Sequence, residues 1–273
     1  MKERQEMDGD AQGDIERAVT YEVRDHVAWI GLNRPRKRNA IGNTLLAALT
    51  DAVRLAQTAA RAIVIFGHGP CFCAGLDLSE HRARGPVETF EHSRSWHAAF
   101  SEIKRGRIPV IAALHGATVG GGLELAAACH LRVADSSAFF ALPEGSRGIY
   151  VGGGASVHVA RLLGAARMAD MMLTGRVLTA EEGERAGLVQ YVVPSGEVLV
   201  KATELAAKMA AMAPLTVLGV LHALPRIQDM SEDDGLFVES AMAALAQSGP
   251  EAAERLEDFV SKRGAKVAKP AGD

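Results

Sequence analysis

The chain has 273 residues, a length that suits one large domain or one domain with an appendage. Apolar residues make up 48% of it, enough to form a sizeable hydrophobic core. A balance of 30 basic against 33 acidic residues gives a net charge of −3, which argues against an electrostatic nucleic-acid binder. Three cysteines, Cys71, Cys73 and Cys129, are too few for a disulfide framework and lack zinc-site spacing. The polar N-terminus has no apolar signal segment, and no apolar stretch is long enough to span a membrane. We therefore expect a cytoplasmic protein.

The first half of the chain alternates short apolar runs with helical patterns. A charged arm is predicted over residues 1–17. The predicted strands are 20–24, 27–32, 61–67, 108–116 and 131–134, the first two forming a β-hairpin. The predicted helices are 43–60, 86–105 and 123–130. This recurrence of strand, glycine turn and helix predicts crossover connections and parallel pairing in an α/β fold.

From about residue 150 the pattern becomes helical. Glycines and prolines separate the predicted helices, which are 155–163, 166–173, 180–186, 197–212, 215–224, 233–246 and 251–262. The residues after Lys262 are basic and predict a loose tail. The sequence therefore predicts an α/β core that is followed by a helical C-terminal region.

Two glycine-bearing turns stand out, Phe72–Leu78 and the triple glycine at 120–122. A glycine turn that leads into a helix leaves backbone N–H groups free at the positive end of the helix dipole. Two such turns side by side could aim two N–H groups at one oxygen, as in an oxyanion hole. The alternative is that the glycines only permit tight turns. Neither turn matches a nucleotide-phosphate motif.

Two glutamates accompany these turns. Glu124 falls in the first turn of a predicted helix, where complementing the helix dipole is a sufficient structural reason for an acid. Glu144 lies among apolar residues and turn formers, although loop carboxylates are mostly solvated. Two carboxyls that face each other in an apolar pocket have separated pKa values and can act as general acid and base. Pairing of Glu124 with Glu144 is therefore one hypothesis, beside two unrelated structural acids.

Other polar residues carry weaker signals. Four histidines without a carboxylate partner in the sequence are interpreted as structural: His68, His115, His130 and His158. A basic loop that is either solvated or phosphate-binding contains Arg34, Arg36, Lys37 and Arg38. Asp77 fits a helix cap better than a catalytic group.

Taken in order, these motifs resemble the crotonase, or enoyl-CoA hydratase/isomerase, superfamily. The motifs that carry the resemblance are 32–41, 72–78, 115–126, 140–145, 160–164, 173–176 and 186–193. The resemblance implies a spiral of ββα units with a helical trimerisation region, in a homotrimer or homohexamer. It places the α/β core at 18–195, the helical region at 196–264 and a loose tail at 265–273. The implied substrate is an acyl-CoA thioester.

The resemblance also implies roles for individual residues. The amides of Leu76 and Gly121 would form the oxyanion hole, and Glu124 and Glu144 would be catalytic. The residues expected to hold coenzyme A are Arg36, Arg38, Ala40, Ala74 and Asp77, with Phe259 and Lys262 supplied by a neighbouring subunit. The implied chemistry needs no metal and no cofactor beyond the coenzyme A of the substrate.

The presence of both glutamates favours hydration of a trans-2-enoyl-CoA, because isomerases of the superfamily typically keep only the second. Isomerisation, or a lyase or hydrolase reaction on the same oxyanion hole, stays an alternative. A non-catalytic RNA-binding or scaffold protein is a remote one, disfavoured by the acidic charge balance. The sequence departs from the family at Val151, where a proline is usual, and Tyr150 is predicted to bring a large ring close to the acyl pocket.

Overall fold

A computed structural model of the chain describes residues 18–80, 84–261 and 263. The predicted arm and tail and Lys262 lie outside these residues. The described residues form two compact units, one that ends at Ala211 and one that begins at Met212.

The described part of the first unit contains two sheets. The strands are β1 (Val19–Arg24), β2 (Val27–Leu32), β3 (Ala62–Gly67), β4 (Val110–Leu114), β5 (Ala117–Val119), β6 (Leu131–Asp135), β7 (Phe139–Ala141), β8 (Leu178–Thr179) and β9 (Tyr191–Val193). Six of them form one sheet in the order β1-β2-β3-β4-β6-β9, and three form a second sheet in the order β5-β7-β8. The hairpin of β1 and β2 is antiparallel, and every later pair in the large sheet is parallel, which confirms the predicted crossovers.

Strands β2, β3 and β4 of the large sheet are buried on both faces, which explains why they are continuous apolar runs rather than alternating ones, whereas the edge strand β1 is largely exposed. Ile63 and Ile65 of β3 point into one hydrophobic cluster, while Ala62 and Val64 point into another. Because side chains alternate along a strand, a single apolar run supplies both cores.

Seven α-helices surround the sheets in the described part of the first unit. They are α1 (Asn43–Ala59), α2 (Pro86–Lys104), α3 (Gly121–Ala128), α4 (Ala155–Leu163), α5 (Ala165–Thr174), α6 (Ala180–Arg185) and α7 (Val198–Ala210). Helix α7 buries Ala202 and Ala206 in the same cluster as Val64. It therefore belongs to the first unit, and the boundary predicted between residues 195 and 196 is corrected to one after Ala211.

The second unit is helical, as predicted. Its helices are α8 (Pro214–Leu218), a π-helical turn (Gly219–Ala223), α9 (Leu224–Ile227), α10 (Glu232–Gln247) and α11 (Pro250–Val260). The first helix was predicted to end at Leu224, before a proline, but the chain stays helical because the π turn precedes Pro225. Within the described residues no single helix is long and apolar enough to cross a membrane; one consecutive pair, Val198–Ala210 with Pro214–Ile227, meets that criterion only jointly.

Candidate active site

The first glycine turn is held between two short backbone pairings. Cys73 pairs with Thr118 of β5, and Leu76 pairs with Ile41 ahead of α1. Asn39, which is completely buried, donates its side-chain amide to the carbonyl oxygens of three residues: His68 at 2.9 Å, Cys71 at 2.9 Å and Phe72 at 3.1 Å. These contacts fix the path of the chain into Gly75, whose φ of +99° favours glycine.

The second glycine turn lies directly beside the first. A methyl group placed on Gly75 would come within 3.5 Å of the nitrogen of Gly121. A methyl group placed on Gly121 would lie 3.7 Å from the carbonyl carbon of Gly75, the atom bonded to the nitrogen of Leu76. The Leu76 and Gly121 amides are therefore neighbours, and neither donates to a protein acceptor in the described part of the chain.

The last two of the three glycines lie in the first turn of α3, and Gly120 caps it. Helix α3 begins at Gly121, two residues earlier than predicted. A Cβ at Gly122 would lie 2.4 Å from the carbonyl oxygen of Cys73, so only glycine permits this approach of the two turns. The free amide of Gly121 is one of the unpaired N–H groups of the first helical turn.

The opposite end of α3 is held by a buried guanidinium. Arg132 is 3% exposed and donates to the carbonyl oxygens of Cys129 (2.6 Å) and Leu188 (2.6 Å) and to the Gln190 side chain (3.2 Å). Burial lowers the pKa of Arg132 to about 10. A cation at the C-terminal end of a helix interacts favourably with its dipole.

Glu124 points into the site from the first turn of α3. Its carboxylate is buried, and its Oε1 accepts hydrogen bonds from the amides of Gly153 (2.8 Å) and Ala155 (3.0 Å). Burial raises the pKa of Glu124; the two amides lower it in part, and the nearby charge of Glu144 raises it further. The two glutamates predicted as a pair are therefore brought together.

Glu144 reaches the same place from the loop after β7, the strand that pairs with β5 in the three-stranded sheet. Strand β7 pairs with β5, and the amide of Gly120 donates to the carbonyl oxygen of Ala141 at 2.9 Å, so the loop after β7 lies against the second glycine turn. A methyl group on Gly120 would lie 2.6 Å from Oε1 of Glu144. Its Oε2 is buried and has no hydrogen-bond partner within the described residues. Burial raises the pKa of this half-buried carboxyl.

Two features of the site were missed at the sequence level. One is the segment Gly152–Ala155, in which the amides of Gly153 and Ala155 hold Glu124; the sequence shows it only as glycines ahead of a predicted helix. The other is Trp96 of α2, which is 5% exposed and packs against both Gly121 and Gly153. The sequence marks Trp96 only as an apolar position on a helix.

Over residues 18–80, 84–261 and 263, no group of three His, Cys, Asp or Glu side chains is arranged to hold a metal ion.

Comparison with known proteins decides the family. Residues 22–269 match the family model described as enoyl-CoA hydratase/isomerase. The chain belongs to the enoyl-CoA hydratase/isomerase family.

Related proteins of this family support the assignment. The chain is 34% identical over 239 residues to 2,3-dehydroadipyl-CoA hydratase of Escherichia coli K12, covering 87% of this chain and 93% of that protein. It is 30% identical over 247 residues to enoyl-CoA hydratase EchA19 of Mycobacterium tuberculosis, covering 89% and 93%. A crystal structure from Rhodopseudomonas palustris that carries an enoyl-CoA hydratase name is 52% identical, with a TM-score of 0.88 and coverage of 90% and 95%. The crotonase fold expected from the sequence is confirmed.

The coenzyme A residues that the family resemblance implies fall into two groups. Arg36 and Arg38 are exposed on the loop that leads to half-buried Ala40. Ala74 donates its amide to the carbonyl oxygen of Arg38 at 3.0 Å, so the loop and the first glycine turn are joined. The loop that carries Arg36, Arg38 and Ala40 is therefore joined to the turn that carries Ala74 and Leu76.

Asp77 has a different environment. Its carboxylate forms ion pairs with Arg34 (2.8 Å) and Lys37 (3.0 Å), and it accepts a hydrogen bond from the amide of Ser79 at 3.0 Å. The last contact caps the short 3-10 helix Leu78–Glu80, as the cap hypothesis predicts. Burial alone would raise the pKa of Asp77, but hydrogen bonds from these partners together hold it well below its usual range.

Two further family-based expectations concern residues farther along. Phe259 lies on α11 of the second unit and is 64% exposed, whereas its predicted companion Lys262 is outside the described residues. Tyr150 is 69% exposed and Val151 is buried. The ring of Tyr150 is thus largely exposed in this chain, and its closeness to the acyl pocket stays a prediction.

Proposed function

We propose that the chain hydrates a trans-2-enoyl-CoA thioester to a 3-hydroxyacyl-CoA. The observation that supports this most is the juxtaposition of Glu124 and Glu144 beside the two unpaired amides of Leu76 and Gly121. The thioester carbonyl oxygen would accept from both amides, which stabilises the negative charge that develops there.

The carboxyls would divide the proton transfers. Two amides donate to Glu124, which favours its anionic form, so Glu124 takes a proton from the attacking water as its oxygen bonds to C3. The electrons of the C2–C3 double bond move to the thioester oxygen as an enolate. Glu144, whose Oε2 has no donor among the described residues, then supplies a proton to C2. Proton exchange between the two neighbouring carboxyls restores the starting state.

Loss of the ultraviolet absorbance of crotonyl-CoA tests the proposal. Wild type should remove the absorbance, and Glu144→Gln and Glu124→Gln should each lower kcat by ~10²–10⁴. Glu102→Gln is the matched control, because Glu102 pairs with Arg54 on the surface and should leave the rate unchanged. No hydration by wild type would refute the proposal.

Double-bond isomerisation is the second candidate. One observation favours isomerisation. The two amide contacts give Glu124 a structural role, which leaves Glu144 as the single base. If Glu124→Gln keeps activity on a 3-enoyl-CoA while Glu144→Gln loses it, the one-base reaction is correct. The homotrimer or homohexamer and the cytoplasmic location stay predictions.

A further inference from the structure

The segment that holds Glu124 consists mostly of glycine. Residues 152–154 are three consecutive glycines, so no side chain of their own can fix the path of the backbone. The amides of Gly153 and Ala155 donate to Oε1 of Glu124 at 2.8 and 3.0 Å. Within the described residues no backbone amide donates to the carbonyl oxygen of Gly152. The position of that carbonyl group therefore depends on a side chain from another part of the chain.

Ser93 of α2 supplies this contact. Its hydroxyl donates to the carbonyl oxygen of Gly152 at 2.6 Å, although the two residues are 59 positions apart. The other polar contact of the hydroxyl in the described part of the chain is Nε2 of His97 at 3.5 Å, a distance at which a hydrogen bond is weak. Because a hydroxyl has only one proton to donate, the Gly152 carbonyl receives it.

The peptide unit that joins Gly152 to Gly153 is hydrogen-bonded at both ends. Its carbonyl oxygen accepts from Ser93, and its N–H, which belongs to Gly153, donates to Glu124. The peptide unit is planar and rigid, so its two hydrogen bonds cannot shift independently. A donor at the carbonyl oxygen also polarises the N–H and strengthens the bond that the N–H gives. Ser93 is therefore connected to the carboxylate of Glu124 through one rigid group.

Helix α2 packs against this peptide over more than one residue. Ser93 and Trp96 are three positions apart and share one face of the helix. A Cβ at Gly152 would lie 3.7 Å from Oγ of Ser93, and a Cβ at Gly153 would lie 3.1 Å from Cε3 of Trp96. The indole is 5% exposed and packs edge-on against Phe100, with ring centroids 5.6 Å apart. The face of α2 that carries the Ser93 hydroxyl is thus held against the glycine segment.

We propose that Ser93 is a positioning residue for hydration, which holds the Gly152–Gly153 peptide and thereby the carboxylate of Glu124 where the attacking water loses its proton. This inference rests on the proposed function for the role of Glu124. Ser93 acts through the peptide and takes no proton itself. Because a displacement of about 1 Å in a catalytic group can cost ~10²-fold in rate, partial loosening of this peptide should lower kcat.

Removal of the hydroxyl tests the proposal. Ser93→Ala should lower kcat for crotonyl-CoA by about 10-fold and leave KM within about 2-fold, because the contact supports the transition state rather than the binding of coenzyme A. The variant should fold, since alanine is the best helix former. Ser93→Thr keeps a hydroxyl and should restore most of the rate. A wild-type kcat in Ser93→Ala would overturn the proposal.

The matched control lies on the same helix. The hydroxyl of Ser95 donates to the carbonyl oxygen of His92 and not to the glycine segment. Ser95→Ala removes the same chemical group from α2, and its kcat and KM should equal those of wild type. A loss of kcat in Ser95→Ala as large as that in Ser93→Ala would assign the effect to the helix rather than to the contact with Gly152, and would overturn the proposal.

A double substitution shows whether Ser93 acts through Glu124. In a Glu124→Gln background, Ser93→Ala should lower kcat by less than ~2-fold further, since the effects of residues that act as a unit are not additive. A further loss as large as in the wild-type background would mean that Ser93 affects the rate by another route. That result would also overturn the proposal.

Hydrogen exchange separates this inference from the reaction, because it needs no substrate. Exchange in the peptide that contains the amides of Gly153 and Ala155 should be ~5-fold faster in Ser93→Ala than in wild type or Ser95→Ala, as expected for one lost hydrogen bond. If exchange rises in this way while wild type hydrates no enoyl-CoA, the proposed function fails and the support of the glycine segment by Ser93 stands. If wild type is active and exchange is unchanged in Ser93→Ala, the proposed function stands and this inference is overturned.

Discussion

The surroundings of Glu124 and Glu144 differ although the two side chains are chemically identical. Glu124 projects from a helix and receives two backbone amides on one oxygen. Glu144 comes from a loop after a short strand and has a buried oxygen with no donor among the described residues. Burial raises the pKa of both carboxyls. The amides of Gly153 and Ala155 oppose the rise in Glu124, whereas in Glu144 only its own backbone amide and the charge of Arg147 do so. Amide donors from another segment of the chain, rather than burial, therefore distinguish Glu124 from Glu144.

The largest effect is expected where a methyl group displaces one carboxyl and not the other. Gly120→Ala places a Cβ 2.6 Å from Glu144, and Gly153→Ala places one 2.7 Å from Glu124. A shift of about 1 Å in a catalytic group can cost ~10²-fold, so kcat for hydration should fall by that order in each variant. Gly85→Ala, which meets nothing within 4 Å, is the control. Unchanged kcat in Gly120→Ala would argue against a role for Glu144.

A third carboxylate extends the comparison. Asp77 receives hydrogen bonds from Ser79, Lys37 and Arg34, and its pKa is lowered rather than raised. Asp77→Asn should reduce the free energy of unfolding at pH 7 by about 1–3 kcal/mol, since it removes the charge from a buried carboxylate that accepts hydrogen bonds from Arg34, Lys37 and Ser79. Because a lowered pKa stabilises the fold only while the group is ionised, the deficit should shrink as the pH falls below the usual carboxyl range. Urea denaturation of wild type and Asp77→Asn at pH 7 and pH 3 measures this difference in unfolding free energy. An equal difference at both pH values would contradict the charge argument.

The smallest predicted effect is a gain in thermal stability rather than a loss. The raised pKa of Glu144 means that its ionisation costs folding stability once the pH exceeds the unfolded-state pKa. Glu144→Gln removes that cost, so its Tm should exceed that of wild type at pH 8, with ~2–4 °C for each kcal/mol gained. At pH 4 the wild-type carboxyl is largely protonated and the two Tm values should converge. A Tm difference that is independent of pH would show that packing, rather than charge, is responsible.

The sequence predicts the parts of this site that depend on local chemistry. The hairpin, the parallel strands and most helices follow from apolar periodicity, and the two glycine turns lie side by side as expected. Strands β5, β7, β8 and β9 were not predicted, because two or three residues give no period to detect. The amides that hold Glu124 and the indole of Trp96 were missed for another reason: their positions depend on which helices pack together.

The guanidinium of Arg132 makes the helix of the site depend on a distant part of the chain. It joins the end of α3 to Leu188 and Gln190, which follow Arg132 by 56 and 58 positions. Without those two acceptors a buried cation would lack half of its side-chain hydrogen bonds, which is costly. A substitution that displaces the segment around residue 190 should therefore loosen the helix that carries Gly121 and Glu124, although it touches neither residue.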